Sequence, residues 1–304
     1  MASTTSISTT YAGVHATGYI TAALFDGKTL SKQAVTFLTG VKDKIVLPNA
    51  NLGNIMQAYN CDWTPNGTFS LTETIGTVTE LESPFQQCKS QLLGTWESME
   101  MGPGSLTQGL PANFTEFLIN RIVASTAQEN EFNLWRGNFT GATTALSGYT
   151  KYTGLLRQLD TNAAVTKITK SAVTASNVNV ILQSIYGQIP DQIRDKEDLF
   201  FYTSKNVTTA YRLALNSNNL QQFDTDRGTR FMDLVIEDFP GIPDNVFVVG
   251  LKSNAYFLTD LISDFQSVKV VDTSDTLNDD NIRIKLLYKC GTQIANGAEF
   301  LLVR

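Results

Sequence analysis

Hydrophobic and polar positions change texture three times along the chain. Up to about residue 40 Ser and Thr dominate and no period holds, so residues 1–40 are expected to form an N-terminal arm. Its first ten residues would gain order only by lying on the body of the protein or on a neighbour. From residue 41 the period is two. KDKIVLP predicts a strand ending at Pro48, Asn66-Gly67 predicts a turn, and GTFSLTETIG places Phe69, Leu71 and Ile75 on one strand face with Glu73. Thr68, Ser70, Thr72 and Thr74 line the other face, and the phase shifts near Gly76, where a bulge or bend fits. A two-stranded excursion with so little apolar mass is marginal in water and needs a partner surface. Another subunit could supply it.

The period then becomes helical. Ser83-Pro84 reads as N-cap and first helical position of a short helix carrying Phe85, Cys88, Leu92 and Trp96. Residues 113–137, NFTEFLINRIVASTAQENEFNLWRG, hold the longest helical pattern. Asn113 with Glu116 forms a capping box, and Gly137 suits the C′ position. Phe114, Leu118, Ile122, Ser125, Glu129 and Phe132 recur at three- and four-residue spacing over roughly 35 Å of helix. Because Ser125 and Glu129 interrupt this stripe, it predicts a strut lying across a sheet, with Phe132 and Trp135 as its packing residues.

From residue 176 strands and helices alternate. Ser176 is expected to cap a helix with Val178, Ile181, Leu182, Ile185 and Ile189, and Ser204 one that runs through Ala214. Ser253 is expected to cap a third, with Ala255, Leu258 and Ile262. LFFYT (199–203), FMDLVIEDF (231–239), VFVVG (246–250), VKVVD (268–272), NIRIKLLYK (281–289) and EFLLV (299–303) read as strands.

Composition narrows the function. The 304 residues include only 17% charged ones, the net charge is −6, and no Lys/Arg run forms a basic patch, which argues against tight phosphate-driven nucleic-acid binding. Neutral polar groups and β-favouring Thr fill the surface, as suits a protein that packs against other proteins. Cys61, Cys88 and Cys290 are too far apart for a zinc site. They read as reduced thiols of a cytoplasmic protein, with a Cys61–Cys88 bridge as the alternative. No apolar stretch is long enough for a membrane span, and the N-terminus lacks the features of a secretion signal.

A catalytic triad would have to recruit the single histidine, His15, from the arm. DTDRG (224–228) lacks the remaining ligands of a calcium loop, and Asp272, Asp275, Asp279 and Asp280 read as a charged loop. Glu97 and Glu100 flank Met99 without a partner set, and Trp96, Met99 and Met101 read as packing residues. No catalytic, cofactor or metal site is expected.

The order of parts resembles the major capsid protein of tailed phages, with the Hong Kong 97-type α+β fold. DKIVLP…CDWTPNGTFSLTE…CKSQLLGTW (43–96), LPANFTEFLINRIVASTAQENEFNLWRGN (110–138) and SNAYFLTDLISDFQSVKVVD…NIRIKLLYKCGTQIA (253–295) resemble a subfamily from phages of Bacteroidetes-type hosts. The resemblance implies an N-terminal arm (1–40), an E-loop with adjoining short helix (41–95), and a P-domain (96–174) with spine helix 113–136. It further implies an A-domain (175–255) and a C-terminal helix and strands (256–304) returning to both domains. Phe69, Leu71 and Ile75 would contact a neighbouring subunit, with intramolecular core as the alternative. Such a chain would assemble into hexamers and pentamers of an icosahedral shell around double-stranded DNA, without sequence-specific binding.

Portal and scaffolding or decoration proteins would be partners. Nothing here has the helical, charged character of the scaffolding segment some members carry, so scaffolding would be a separate protein or little needed. Assembly would occur in the bacterial host cytoplasm. Lys42 or Lys44 in the E-loop does not by itself indicate the Lys–Asn cross-link of some relatives. The rival readings are an encapsulin-like compartment shell and a soluble α/β enzyme or binding module.

Overall fold

The computed structural model describes residues 8–12, 27–53, 55–59, 61–64, 66–88, 112–139, 149–217, 229–232, 234–260, 267–273 and 279–304. Strand β1 (Ser8–Ala12), helix α1 (Lys28–Ser31) and β2 (Thr36–Leu38) come first. Strands β3 (Lys44–Leu52), β4 (Phe69–Thr77) and β5 (Thr79–Cys88) follow, then the long α2 (Ala112–Arg136) and α3 (Leu155–Thr161). The next stretch holds β6 (Thr166–Ile168), α4 (Val178–Gly187), α5 (Asp191–Arg194), β7 (Leu199–Thr203) and α6 (Lys205–Ser217). The chain continues through β8 (Arg230–Phe231), β9 (Leu234–Asp238), β10 (Phe247–Leu251) and β11 (Ala255–Thr259). It ends with β12 (Ser267–Asp272), β13 (Asn281–Ile294) and β14 (Phe300–Val303).

Two six-stranded sheets and one hairpin organise these elements. The first sheet runs β1-β12-β13-β11-β2, with β5 also on β13. At Ile284 the partners are Val270 and Phe85, and at Cys290 they are Thr259 and Thr79. Thus β5 holds one edge of β13, while β12 and β11 share the other. The arm strand β1 lies on the body, antiparallel to β12. Within residues 27–38, Thr29, Leu30, Ala34 and Val35 are buried and β2 pairs with β11, so this part packs into the body.

The second sheet runs β6-β14-β10-β7-β9-β8. Its central strands are buried at every position because both faces are covered. Phe200, Tyr202, Val248, Phe300 and Leu302 face the core shared with α2 and the first sheet. Leu199, Phe201, Val249, Leu301 and Val303 face a second core with Val178, Leu182 and Ile185 of α4 and Val207 and Ala214 of α6. Strands LFFYT, VKVVD, NIRIKLLYK and EFLLV fall where alternation and apolar runs place them. FMDLVIEDF splits into β8 and β9 at Met232, whose φ is +52°.

Two expected helices are strands. Residues 84–88, expected to open a short helix, belong to β5, and the remainder of that expected helix lies outside the described residues. What decides for strand is distant in sequence. Glu80 stands opposite Lys289 and pairs with it at 2.9 Å, Gln86 stands opposite Arg283 and accepts from its Nε at 3.0 Å, and Glu82 pairs diagonally with Lys285. Likewise, the helix expected from Ser253 is a single 3-10 turn, Lys252–Asn254, followed by β11. A short apolar run does not distinguish strand from helix, and here β13 and β2 on either side of β11 settle it. The C-terminal part of the chain therefore returns to the first sheet as a strand at 255–259.

Smaller corrections concern ends. Helix α2 starts at Ala112, so Asn113 lies within it. Helix α4 starts after Asn177, whose Oδ1 accepts from Thr174 N at 2.8 Å, so Ser176 is not its cap. Strand β3 runs past Pro48 to Leu52, because a two-stranded ribbon leaves edges on which proline is tolerated.

Candidate assembly surface

The long helix turns a different face to the core than its apolar stripe suggested. Ile119, Val123, Ala127 and Leu134 are buried, joined by Thr126 and Asn130, whereas Ser125 and Glu129 are exposed. Leu118, buried in the same core, and Ile122, packed against it, line with Ser125 and Glu129 one wall of a groove of about 470 Å³, whose other wall is Glu82 to Phe85 of β5.

Toward its C-terminal end α2 buries most of its side chains. Trp135 is 1% exposed and packs on Tyr202 and Phe239, at ring-centroid distances of 5.3 and 5.8 Å. Its Nε1 donates to Thr29 Oγ1 at 2.7 Å, and Thr29 donates from both N and Oγ1 to the buried Glu131 carboxylate. Burial raises the Glu131 pKa, outweighing those two hydrogen bonds and the nearby Lys28 charge. Phe132 is half-buried, stacked on Tyr149 at 5.1 Å and covered by the Arg136 guanidinium. Arg136 also donates to the Gly241 carbonyl at 2.6 Å and to that of Ile242 at 3.2 Å.

Gly137 does not supply the left-handed turn expected of it; Asn138 does, with φ +55°. Gly137 is needed for space, since a Cβ there would lie 2.2 Å from the Tyr152 carbonyl oxygen. Gly241 is similarly pressed: its Cβ would lie 2.4 Å from Trp135 Cδ1. Both sequence-derived packing residues, Phe132 and Trp135, thus sit in this hub, where the first sheet, the second sheet and α1 meet.

The hairpin β3–β4 has the opposite character. Register places Val46 opposite Ile75, Pro48 opposite Glu73 and Ala50 opposite Leu71, so these six share one face. The other face rests on the body only near its base, where Leu47 and Gly76 are buried and Thr74 Oγ1 donates to the Ala295 carbonyl at 3.0 Å. Phe69, Leu71 and Ile75 are 67, 55 and 57% exposed, and no part of the described chain covers them. Among the described residues these three belong to neither buried core. The sequence reading missed Val46, Ile55, Met56, Tyr59 and Trp63, all at least half exposed. Alternation continuing beyond Pro48 could have revealed Val46. Large apolar side chains clustered in a polar connection were the available signal for the other four.

None of the His, Cys, Asp and Glu side chains among the described residues form a group placed to hold a metal ion. All three cysteines are free, which sets aside the Cys61–Cys88 bridge. Asp279 is held by Thr273 and sits 3.5 Å from Arg283, and the Thr273 hydroxyl lowers its pKa. His15, Trp96, Glu97, Met99, Glu100, Met101, Asp275 and the DTDRG stretch lie outside the described residues. Among the described residues no helix is long and apolar enough to cross a membrane.

Comparison with known proteins places this architecture. No family model matches the chain, and no curated protein matches its sequence. Solved structures do. The procapsid of satellite phage P4 including the size determination (Sid) protein is 10% identical, with a TM-score of 0.58 over 94% of this chain and 98% of that one. The capsid of the myovirus phage XM1 is 14% identical, with a TM-score of 0.56 over 91% of each chain. A virus-like particle from Pyrococcus furiosus is 8% identical, with a TM-score of 0.55 over 94% of this chain and 96% of that one. The chain has the Hong Kong 97-type capsid fold.

Proposed function

We propose that this chain is a major capsid protein, a structural subunit that self-assembles into hexamers and pentamers of an icosahedral shell enclosing double-stranded DNA. The observation that carries this reading is the β3–β4 hairpin, whose one apolar face is left exposed among the described residues. Contiguous exposed apolar surface of this kind marks a protein–protein contact. In this reading the hairpin is the E-loop, and Phe69, Leu71 and Ile75 touch a neighbouring subunit. The first sheet with α2 is the P-domain, and the second sheet with α4 and α6 is the A-domain. Closed symmetry repeats each moderate contact over the whole shell.

The acidic net charge of −6 suits a wall that holds DNA without binding its sequence. The role is structural, its place is the virion, and assembly takes place in the host bacterial cytoplasm with portal and scaffolding or decoration proteins. Likeness to the Pyrococcus furiosus particle favours a second reading, a compartment shell that encloses protein cargo. Electron microscopy of the purified chain tests the shell, and nuclease-protected DNA inside particles from infected cells separates the two readings. A monodisperse monomer of about 33 kDa at high concentration would overturn both.

A further inference from the structure

Lys170, two residues after β6, turns its side chain inward. Its Nζ is buried, has no hydrogen-bond partner among the described residues, and stands 3.6 Å from the centroid of the Phe247 ring on β10. Phe247 is fully buried and belongs to the second core. The charged groups of the surrounding elements are engaged elsewhere. Arg304, after β14, pairs with Asp160 of α3 at 2.7 Å, and Lys205, at the start of α6, reaches Asp238 at 3.7 Å. Asp244, before β10, acts on Arg136, and Lys167 of β6 is exposed.

Residues 169–177 carry the chain from β6 to α4, and few ties hold them to the body. Lys170 N donates to the Arg304 carbonyl at 3.1 Å, and Val173 N donates to Asn245 Oδ1 at 2.9 Å. Val173 packs, partly buried, on the second core, whereas Thr169, Ser171, Ala172 and Thr174 are exposed. The Lys170 side chain is therefore a main fastening of this segment. Its seat suits the neutral amine better than the ammonium. The ring face attracts a cation, but one aromatic contact repays less than the desolvation of an ammonium costs. Burial accordingly pushes the Lys170 pKa down from an ordinary 10.5 to about 7.

We propose that residues 169–177 form a pH-operated latch on the β6 edge of the second sheet, fastened by the neutral Lys170 amine on Phe247 and loosened when that amine takes a proton from water. The released side chain is exposed and recovers the ordinary affinity for a proton, so seating is tightest above pH 10.5. It weakens as the pH falls toward about 7 and changes no further below that. The opening is local, because the core strands β7 and β10 keep their own pairing and both their covered faces. The edge of the subunit thus differs between neutral and alkaline solution while its core does not. The latch stands independently of the shell reading.

The test is pulsed amide hydrogen exchange of the full chain between pH 6.5 and 9.5, read by mass spectrometry and corrected for the intrinsic pH dependence of exchange. Peptides spanning residues 169–177 are expected to be less protected than those of β7 and β10, and their protection to rise about tenfold per pH unit above pH 7. Lys170→Met keeps the length of the side chain without a titrating group, and should hold the segment protected with no slope. Lys170→Arg stays charged throughout, and should leave it open with no slope. Wild-type protection that is flat with pH overturns the latch, as does a slope that survives in Lys170→Met. So does a segment that exchanges only as fast as β7 and β10, since it then does not open by itself. The wild-type profile and Lys170→Arg decide the matter even if Lys170→Met fails to fold.

Discussion

The C-terminal end of α2 and the β3–β4 hairpin use the same kinds of side chain to opposite ends. Around Trp135 every large group has a partner within the chain: rings on Tyr202 and Phe239, an indole N–H on Thr29, and a guanidinium on the carbonyls of the loop after β9. Along the hairpin Phe69, Leu71 and Ile75 are more than half exposed among the described residues, although their full burial would be worth about 1.5–3 kcal/mol each. The contrast separates residues that hold one subunit together from residues whose apolar area is free to stabilise contact with another. It also makes clear forecasts: perturbing the hub should cost stability, and perturbing the hairpin should not.

The largest effect on stability should come from Trp135→Ala. It opens a cavity in the shared core and leaves Thr29 and Glu131 without their third member, at about 3–5 kcal/mol, read from urea unfolding of the unassembled subunit. A loss under about 1 kcal/mol would mean the hub is not the joint between the sheets. Gly241→Ala comes next. Its Cβ meets Trp135 and also the Glu131 carbonyl oxygen at 2.5 Å, so backbone as well as ring must shift, for about 1–3 kcal/mol in the same assay.

Glu131→Gln should act mainly through pH. Because the folded-state pKa is raised from an ordinary 4.5, the folded form holds the proton more tightly than the unfolded chain does. Wild-type stability is therefore favoured at low pH, falls as pH rises from the ordinary value through the raised one, and levels off above it. The Gln variant should lack this slope. Thermal midpoints measured between about pH 4 and pH 7 should show wild type losing ground to the variant as pH rises, and parallel curves would show that Glu131 does not titrate as its burial requires.

How legible this contrast was in the sequence depends on the range of the forces involved. LFFYT and EFLLV were readable because strands buried on both faces need apolar residues throughout, which is a local pattern. The exposed face of β4 was readable from its period of two, and its partner strand β3 was cut short only because Pro48 suggested an end. Strand β5 was not readable: Pro84 after Ser83 imitates a helix start, and the residues that overrule it, Lys285, Lys289 and Arg283, lie about two hundred positions away. The core face of α2 was misplaced for a related reason. Thr126, Asn130 and Glu131 are buried polar groups, so the face they share with Ile119 and Val123 does not stand out as an apolar stripe. Their burial is possible because partners such as Ser83 and Thr29 come from other segments. Of the assembly surface, Phe69, Leu71 and Ile75 were legible as a stripe, but their exposure followed only once the hairpin was seen to leave the body beyond Gly76.

The most direct measurement replaces Phe69, Leu71 and Ile75 together by Ser and compares that variant with wild type for thermal midpoint and for particles by electron microscopy. The account predicts a subunit whose melting is unchanged to within about 0.5 kcal/mol, as expected for exposed positions, and which forms no closed shells. Closed shells at the wild-type yield, or a subunit that unfolds, would contradict it.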